Sequence, residues 1–260
     1  MRRFATPSFL RGAAGIVVLL ALWEAFARSG AFNPAITPPL ARIAQTFWHM
    51  MLDGTLPRNA GYTLARVLTG LGIACVVGVP LGVLMGRIRI VERLLLPLIS
   101  VLMPIPSLAW VPILVLWFGI SEVTSIVVVA YAATFPVIYN VWTGVRAVNP
   151  IWTRAAVAMG AHEHEVFRNV VLPGATPYVL TGIRLAFGRG WISVIGAELL
   201  ANPFYGLGKV IFDAKEFLNS DVMLASLITI GLIGVFFDRV IFQTVEKRTV
   251  ARWGMVTTPG

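Results

Sequence analysis

The 260-residue sequence is 57% hydrophobic and only 13% charged, with a mean hydropathy of +0.81, against roughly 45–50% apolar and ~25% charged in soluble domains. That excludes a disordered chain, a solvated coiled coil and an ordinary cytosolic enzyme, and leaves an integral membrane protein. The formal net charge of +9, from 21 basic and 12 acidic residues, is read as the orientation signal of membrane loops rather than as a nucleic-acid footprint, so no nucleic-acid partner is expected.

A hydrocarbon core about 30 Å thick needs roughly 20 helical residues to cross it. Six runs of that order are present, at about 12–28, 60–86, 93–118, 122–142, 174–199 and 221–243. The first follows Arg2, Arg3 and Arg11, and its Ala25-Phe26-Ala27 mimics a cleavage site. Glu24 and the five later spans argue for a retained helix rather than a removed signal. Between the first two spans, Asn33-Pro34 and Pro38-Pro39 precede Leu40, Ile43, Phe47, Trp48 and Met51. This predicts an extended stretch entering an amphipathic helix at the outer interface, with a structural role.

In the second span Gly70, Ala74, Gly78, Gly82 and Gly86 recur every fourth residue. Such a small-residue ridge lets helices approach closely in lipid, where hydrophobicity gives them no reason to associate. Packing within the subunit is favoured over packing against a second copy. Pro80 is expected to bend this helix, and Arg66 to snorkel outward. The lone Cys75 allows no intrachain disulfide and no cysteine metal motif.

In the third span Pro104, Pro106 and Pro112 remove three backbone donors within nine residues. With Met103, Trp110 and Trp117 close by, this reads either as a broken helix forming the constriction of a pathway or as an irregular, purely structural helix. Residues 143–172 then form the longest inside connection. Asn149-Pro150 supplies an N-cap and an N1 proline, Ile151, Ala155 and Met159 keep helical spacing, and Gly160 is a C′ stop. A second short helix at about 162–170 leads to Leu172-Pro173, where the next span begins. The expected product is a helix-turn-helix on the cytoplasmic face, with Ala155-Ala156 as a small-residue surface open to a partner. His162-Glu163-His164-Glu165 lacks the i, i+4 histidine pair of a helical metal site, so no metal is assigned.

Charges within spans face a cavity or a partner. Arg184 is expected to tie helices together near the inner side. Arg189 lies deepest, about 22 Å into a straight helix, where it would favour an anionic solute or pair structurally with an acid or a carbonyl. Glu122 and Glu198 fall near the outer face, suited to helix packing or to docking of a binding protein. With the N-terminus inside, thirteen of the 21 basic residues lie on inside segments. Only Arg28, Arg42, Arg58, Lys209 and Lys215 lie outside, which places both termini in the cytoplasm.

Arg154-Ala155-Ala156, three residues, Gly160, nine residues and Val170-Val171-Leu172-Pro173 resemble the EAA loop of ABC importer permeases, with Arg154 where that family most often has Glu. Pro104-Ile-Pro106-Ser-Leu-Ala-Trp110-Val-Pro112, Leu116-Trp117-Phe118-Gly119-Ile120, Gly182-Ile-Arg184 with Trp191 and Glu198, Gly206-Leu-Gly208 and Glu216-Phe-Leu resemble its nitrate, sulfonate and taurine branch, over about 60–245. The resemblance implies an all-α, six-span type I importer permease of a bacterial cytoplasmic membrane. Its partners would be two ATPase subunits carrying ATP and Mg, and a soluble binding protein delivering a small, anionic solute. It implies ATPase coupling through Arg154, Ala155, Ala156, Gly160, Leu172 and Pro173.

The chain has no G-x-x-x-x-G-K-[ST] loop, so no ATP cofactor and no catalytic residue are expected in it. Six helices without a repeat make a thin wall for alternating access, which predicts a homodimer. Residues 1–58 are read as tail, first span and interfacial segment, 59–245 as the permease core with its coupling loop at 143–173, and 246–260 as a cytoplasmic tail. The rival reading is a stand-alone ion-coupled carrier or channel. It should bury acids at the midplane, whereas Glu24, Glu122, Glu198 and Asp238 lie toward span ends.

Overall fold

Among the residues described by the computed structural model (7–30, 33, 35–201 and 203–249), every regular element is helical. A chain that must satisfy its backbone inside lipid has few other choices. Arg2, Arg3, Pro34 and Arg252, and the side chains of Arg11 and Lys247, lie outside the described residues, as does most of the tail at 246–260.

The helices are α1 (Pro7–Arg28), α2 (Leu40–Leu52), α3 (Thr55–Arg87), α4 (Arg89–Leu102), α5 (Val111–Phe118), α6 (Glu122–Ala147), α7 (Pro150–Ala158), α8 (Glu163–Val166), α9 (Leu172–Ala201), α10 (Leu207–Glu216), α11 (Ser220–Phe236) and α12 (Gln243–Thr249). A 3₁₀ turn, Ser107–Trp110, precedes α5, and π turns at Phe167–Val171 and Phe237–Phe242 precede α9 and α12.

Four segments are long and apolar enough to cross a bilayer: α3, α6, Glu163–Ala201 and Ser220–Glu246. A fifth is the pair Arg89–Leu102 and Ser107–Phe118, bent by 83°. The run expected at 12–28 lies within α1. That helix is pinned at its end, where the Trp23 indole donates to the Pro38 carbonyl and Glu24 accepts from the Leu40 amide at 2.8 Å. Glu24 thereby caps α2, whose first N–H groups have no partner within the helix. On α2, Arg42 and Thr46 both reach Asp221 at the start of α11.

The core is a slab of α3, α6 and α9. Ideal Cβ atoms built on Gly70, Gly78, Gly82 and Gly86 would fall within 3 Å of Val129, Val137, Val141 and Val145. The valines recur on α6 with the same four-residue period as the glycines on α3, so one i±4 ridge lies in the other's groove. Ala74 shares a buried cluster with Ala133. The ridge therefore faces α6 of the same chain. The neighbouring face of α6 meets α9, where Gly144 lies against Tyr178 and Gly182 against Asn140.

α3 runs as one helix that contains Pro80. One local expectation changes. The second helix of the loop does not end before Pro173: α8 passes through the π turn into α9, with the Leu172 amide donating to the Phe167 carbonyl. A proline ring clashes with the carbonyl one turn back in an α-helix, and the wider π turn gives Pro173 that room. The segment therefore runs unbroken from Glu163 to Ala201, 39 residues.

Candidate functional site

At the end of the bundle formed by the C-termini of α3 and α6, α7 projects as predicted from its caps. The Asn149 side chain accepts from the Ile151 amide at 2.9 Å, and Pro150 occupies the first turn. At the other end Gly160 adopts φ +89°, with its amide donating to Val157 O and the Ala161 amide to Ala156 O, which is a Schellman closure. Gly160→Ala is expected to cost about 1–2 kcal/mol through its left-handed φ, read as faster proteolysis of the hairpin in the intact protein.

Ile151, Trp152, Val157 and Met159 are exposed around Arg154. The Arg154 Nε lies 3.3 Å from the Pro150 carbonyl, and no acid of this chain approaches it among the described residues. Ala155 is exposed but Ala156 is buried, so only half of the expected small-residue surface is open. Ala156 instead faces inward, one residue round the helix. Leu172 is exposed and Pro173 half-buried. The hairpin is tied back by Arg87, which binds Glu163 at 2.6 Å and lies 4.5 Å from the Phe167 ring. His162 caps α8 reciprocally with Glu165.

The break between α4 and the 3₁₀ turn opens a cleft of about 300 Å³. Met103, Pro104, Pro106 and Ser107 line one side, and Arg189 and Ser193 of α9 the other. Pro106 has no N–H to give the Leu102 carbonyl, which accepts instead from the Ile105 amide at 3.1 Å and from the Tyr131 hydroxyl on α6 at 2.7 Å. The structure thus joins Met103, Pro104, Pro106 and Arg189 in one place. It sets Trp110 behind them, with its ring 5.5 Å from Tyr131 and its Nε1 buried without a partner. Arg189 is exposed and makes no hydrogen bond or ion pair among the described residues. Arg184, by contrast, holds Asp238 at 2.8 Å and Glu246 at 3.3 Å, joining α9 to the second π turn and α12.

At the opposite end, Arg66 does not snorkel. It is 1% exposed, its Nε and Nη2 grip Glu122, and its Nη1 binds Glu198, which is fully buried. Acids from two neighbouring helix ends reach the guanidinium before water does. Thr63 donates to Glu198, Glu198 accepts from the Gly208 amide at 2.8 Å, Thr63 from Leu207 and Asn59 from Gly206. Three side chains thus satisfy the free N–H groups that open α10. Gly206 has φ +140°, and a Cβ there would fall 2.5 Å from Glu198. Glu122 and Glu198 therefore pack helices together.

A family model described as "Binding-protein-dependent transport system inner membrane component" matches residues 78–249. The chain belongs to that family. This permease is 34% identical over 228 residues to the taurine transport system permease protein TauC of Escherichia coli, covering 86% of this chain and 82% of the relative. It is 33% identical over 237 residues to the bicarbonate transport system permease protein CmpB of Synechococcus elongatus, covering 87% and 84%. Among solved structures, a chain of the MetNI methionine ABC transporter in inward-facing conformations superposes with a TM-score of 0.62 at 21% identity, over 77% of this chain and 97% of that one. The fold is that of a type I importer permease.

The permease is an integral inner-membrane subunit of an ABC importer, working with an ATPase and a binding protein, and ATP hydrolysis is performed by the separate ATPase subunit. Sequence reading of the permease missed Asn59 and Thr63 as partners of α10. Their signal was present: Asn59, Thr63 and Arg66 lie on one face of α3 by their spacing, and Gly206 and Gly208 mark a close backbone approach.

Proposed function

We propose that the permease works as one of two identical copies, that it takes its ATPase partner on α7, and that it passes a small solute bearing an oxyanion group. The observation that carries the coupling assignment is the projecting α7 hairpin, whose apolar side chains stand exposed around an Arg154 that meets no acid among the described residues. An arginine in that position seeks a carboxylate or backbone carbonyls on its partner. The solute class follows the names of the relatives, since taurine carries a sulfonate and bicarbonate is itself an oxyanion.

In this reading α1 is a sixth span and both termini lie in the cytoplasm with α7. The charge pattern supports it: Arg87, Arg89, Arg93, Arg146, Arg154 and Arg168 gather on the α7 side. ATP and Mg sit on the ATPase. A stand-alone ion-coupled carrier is not favoured, because the relatives are subunits of ATP-driven importers.

Charge reversal tests the coupling. Arg154→Glu in the assembled transporter is expected to lower solute-stimulated ATPase about fivefold, the equivalent of an ion pair worth ~1 kcal/mol. Unchanged ATPase and unchanged assembly would show that Arg154 serves only the Pro150 carbonyl.

A further inference from the structure

Arg66 and Arg184, set well inside spanning helices, are neutralised by acids of this chain. Arg189, near the middle of α9, meets no acid among the described residues. An uncompensated guanidinium at that depth is costly unless water or an anion reaches it. The walls beside it supply no acid: apart from Arg189, the polar side chains of the cleft are Ser107, Ser193 and Tyr131. Tyr131 has spent its proton on Leu102. The two serine hydroxyls stand 2.8 Å apart. One of them donates to the other, which leaves one hydroxyl proton free to turn into the cleft.

We infer that this cleft is a transient binding station for an oxyanion, with the Arg189 guanidinium as its charged donor and the Ser107–Ser193 pair as its neutral one. The inference rests on the importer reading above and adds a residue-level site to it. Guanidinium presents a planar fork that matches two oxygens of a carboxylate, sulfonate or bicarbonate. The volume of about 300 Å³ holds an anion of a few heavy atoms together with water. The broken helix is what makes the station possible, because a straight one would close the space that Pro104 and Pro106 open. A single cation with one hydroxyl binds weakly, and a pathway needs that, since a solute held tightly would not leave.

The test needs no knowledge of the natural solute. In the assembled transporter, Cys75→Ala and Ile192→Cys place one thiol in the permease, a helical turn from Arg189. It is labelled with the anionic 2-sulfonatoethyl or the cationic trimethylammonioethyl methanethiosulfonate, each rate being normalised to a free thiol in solution and read by mass on the permease chain. The anionic reagent is expected to be favoured by about tenfold or more, as opposite and like charges within a few ångströms dictate. Arg189→Gln should bring the ratio close to one. Methanesulfonate should slow labelling when Arg189 is present and not when it is Gln. Arg189→Lys should keep much of the ratio while losing that protection, since the fork is gone.

A ratio indifferent to Arg189, or a thiol that neither reagent reaches because a second copy fills the cleft, overturns the inference. Uptake into vesicles bears on the substrate class alone. A transporter that imports no oxyanion yet keeps an Arg189-dependent ratio and methanesulfonate protection retains the station and loses that assignment.

Discussion

Arg66→Met is expected to destabilise the permease by about 3–5 kcal/mol, the cost of leaving a buried charge without its partner. Glu198 would then keep Thr63 and the Gly208 amide but lose the guanidinium that balances it. The loss should appear as a lower yield of assembled transporter and a fall in its thermal midpoint in detergent. Glu122→Gln removes a carboxylate that is half exposed and should cost no more than about 1 kcal/mol. The double replacement Arg66→Met with Glu198→Met should recover part of the loss, since an apolar pair can replace a buried ion pair. It should not recover all of it, because the Gly208 amide at the start of α10 would have no acceptor. Equal effects of Arg66→Met and Glu122→Gln would show that the buried arm of the cluster carries no stability.

Gly82→Val should be more damaging still. A Cβ at that position falls 2.7 Å from Val141 Cβ and 2.8 Å from the Ile138 carbonyl oxygen. The first contact could be eased by a side-chain shift, but the second is backbone, so α3 and α6 would have to separate along the whole ridge. Overpacking a core costs about 1–3 kcal/mol where neighbours can adjust. Here the same displacement also opens the contacts at Gly78 and Gly86, and loss of assembled protein is the expected result. Gly72 lies on the same helix with nothing within 4 Å of its added Cβ, so Gly72→Val is the matched control and should assemble normally. Assembly is read by size-exclusion profile and by protease resistance.

The parts legible in the sequence are those set by local chemistry. Helix caps depend on neighbouring residues, so Asn149-Pro150 and Gly160 located α7 closely. A proline removes its own donor wherever it stands, so Pro104 and Pro106 marked the break between α4 and α5. The four-residue period of the α3 ridge was also visible, although the valines it meets on α6 were not paired with it. What escaped were partnerships across long stretches of chain. Arg66 finds Glu198 across 132 positions, and no window of sequence contains both. The outward turn of Arg66 was a reasonable reading of one helix considered alone, and it failed because two other helices end at the same level. α10 was missed because its first amides are satisfied from α3 and α9 rather than by a cap of its own. Pro173 was read as a boundary, but the π turn before it absorbs the ring.

The continuity of Glu163–Ala201 makes the hairpin's second arm and the cleft's arginine parts of one rod. At about 1.5 Å per residue its 39 residues extend about 58 Å, longer than the bilayer is thick. A tilt of only about 5° at one end displaces the other by about 5 Å, a helical turn's pitch. Mechanically it is a lever with its short handle among the α7 contacts. Glu198, near the far tip, is clamped to α3 by the buried Arg66, and Glu163 at the handle is tied to the other end of the same helix by Arg87 in an exposed pair. The exposed tie is the weaker of the two, so displacing the handle costs less than displacing the tip, and Arg189, nearer the tip, would travel less than the hairpin.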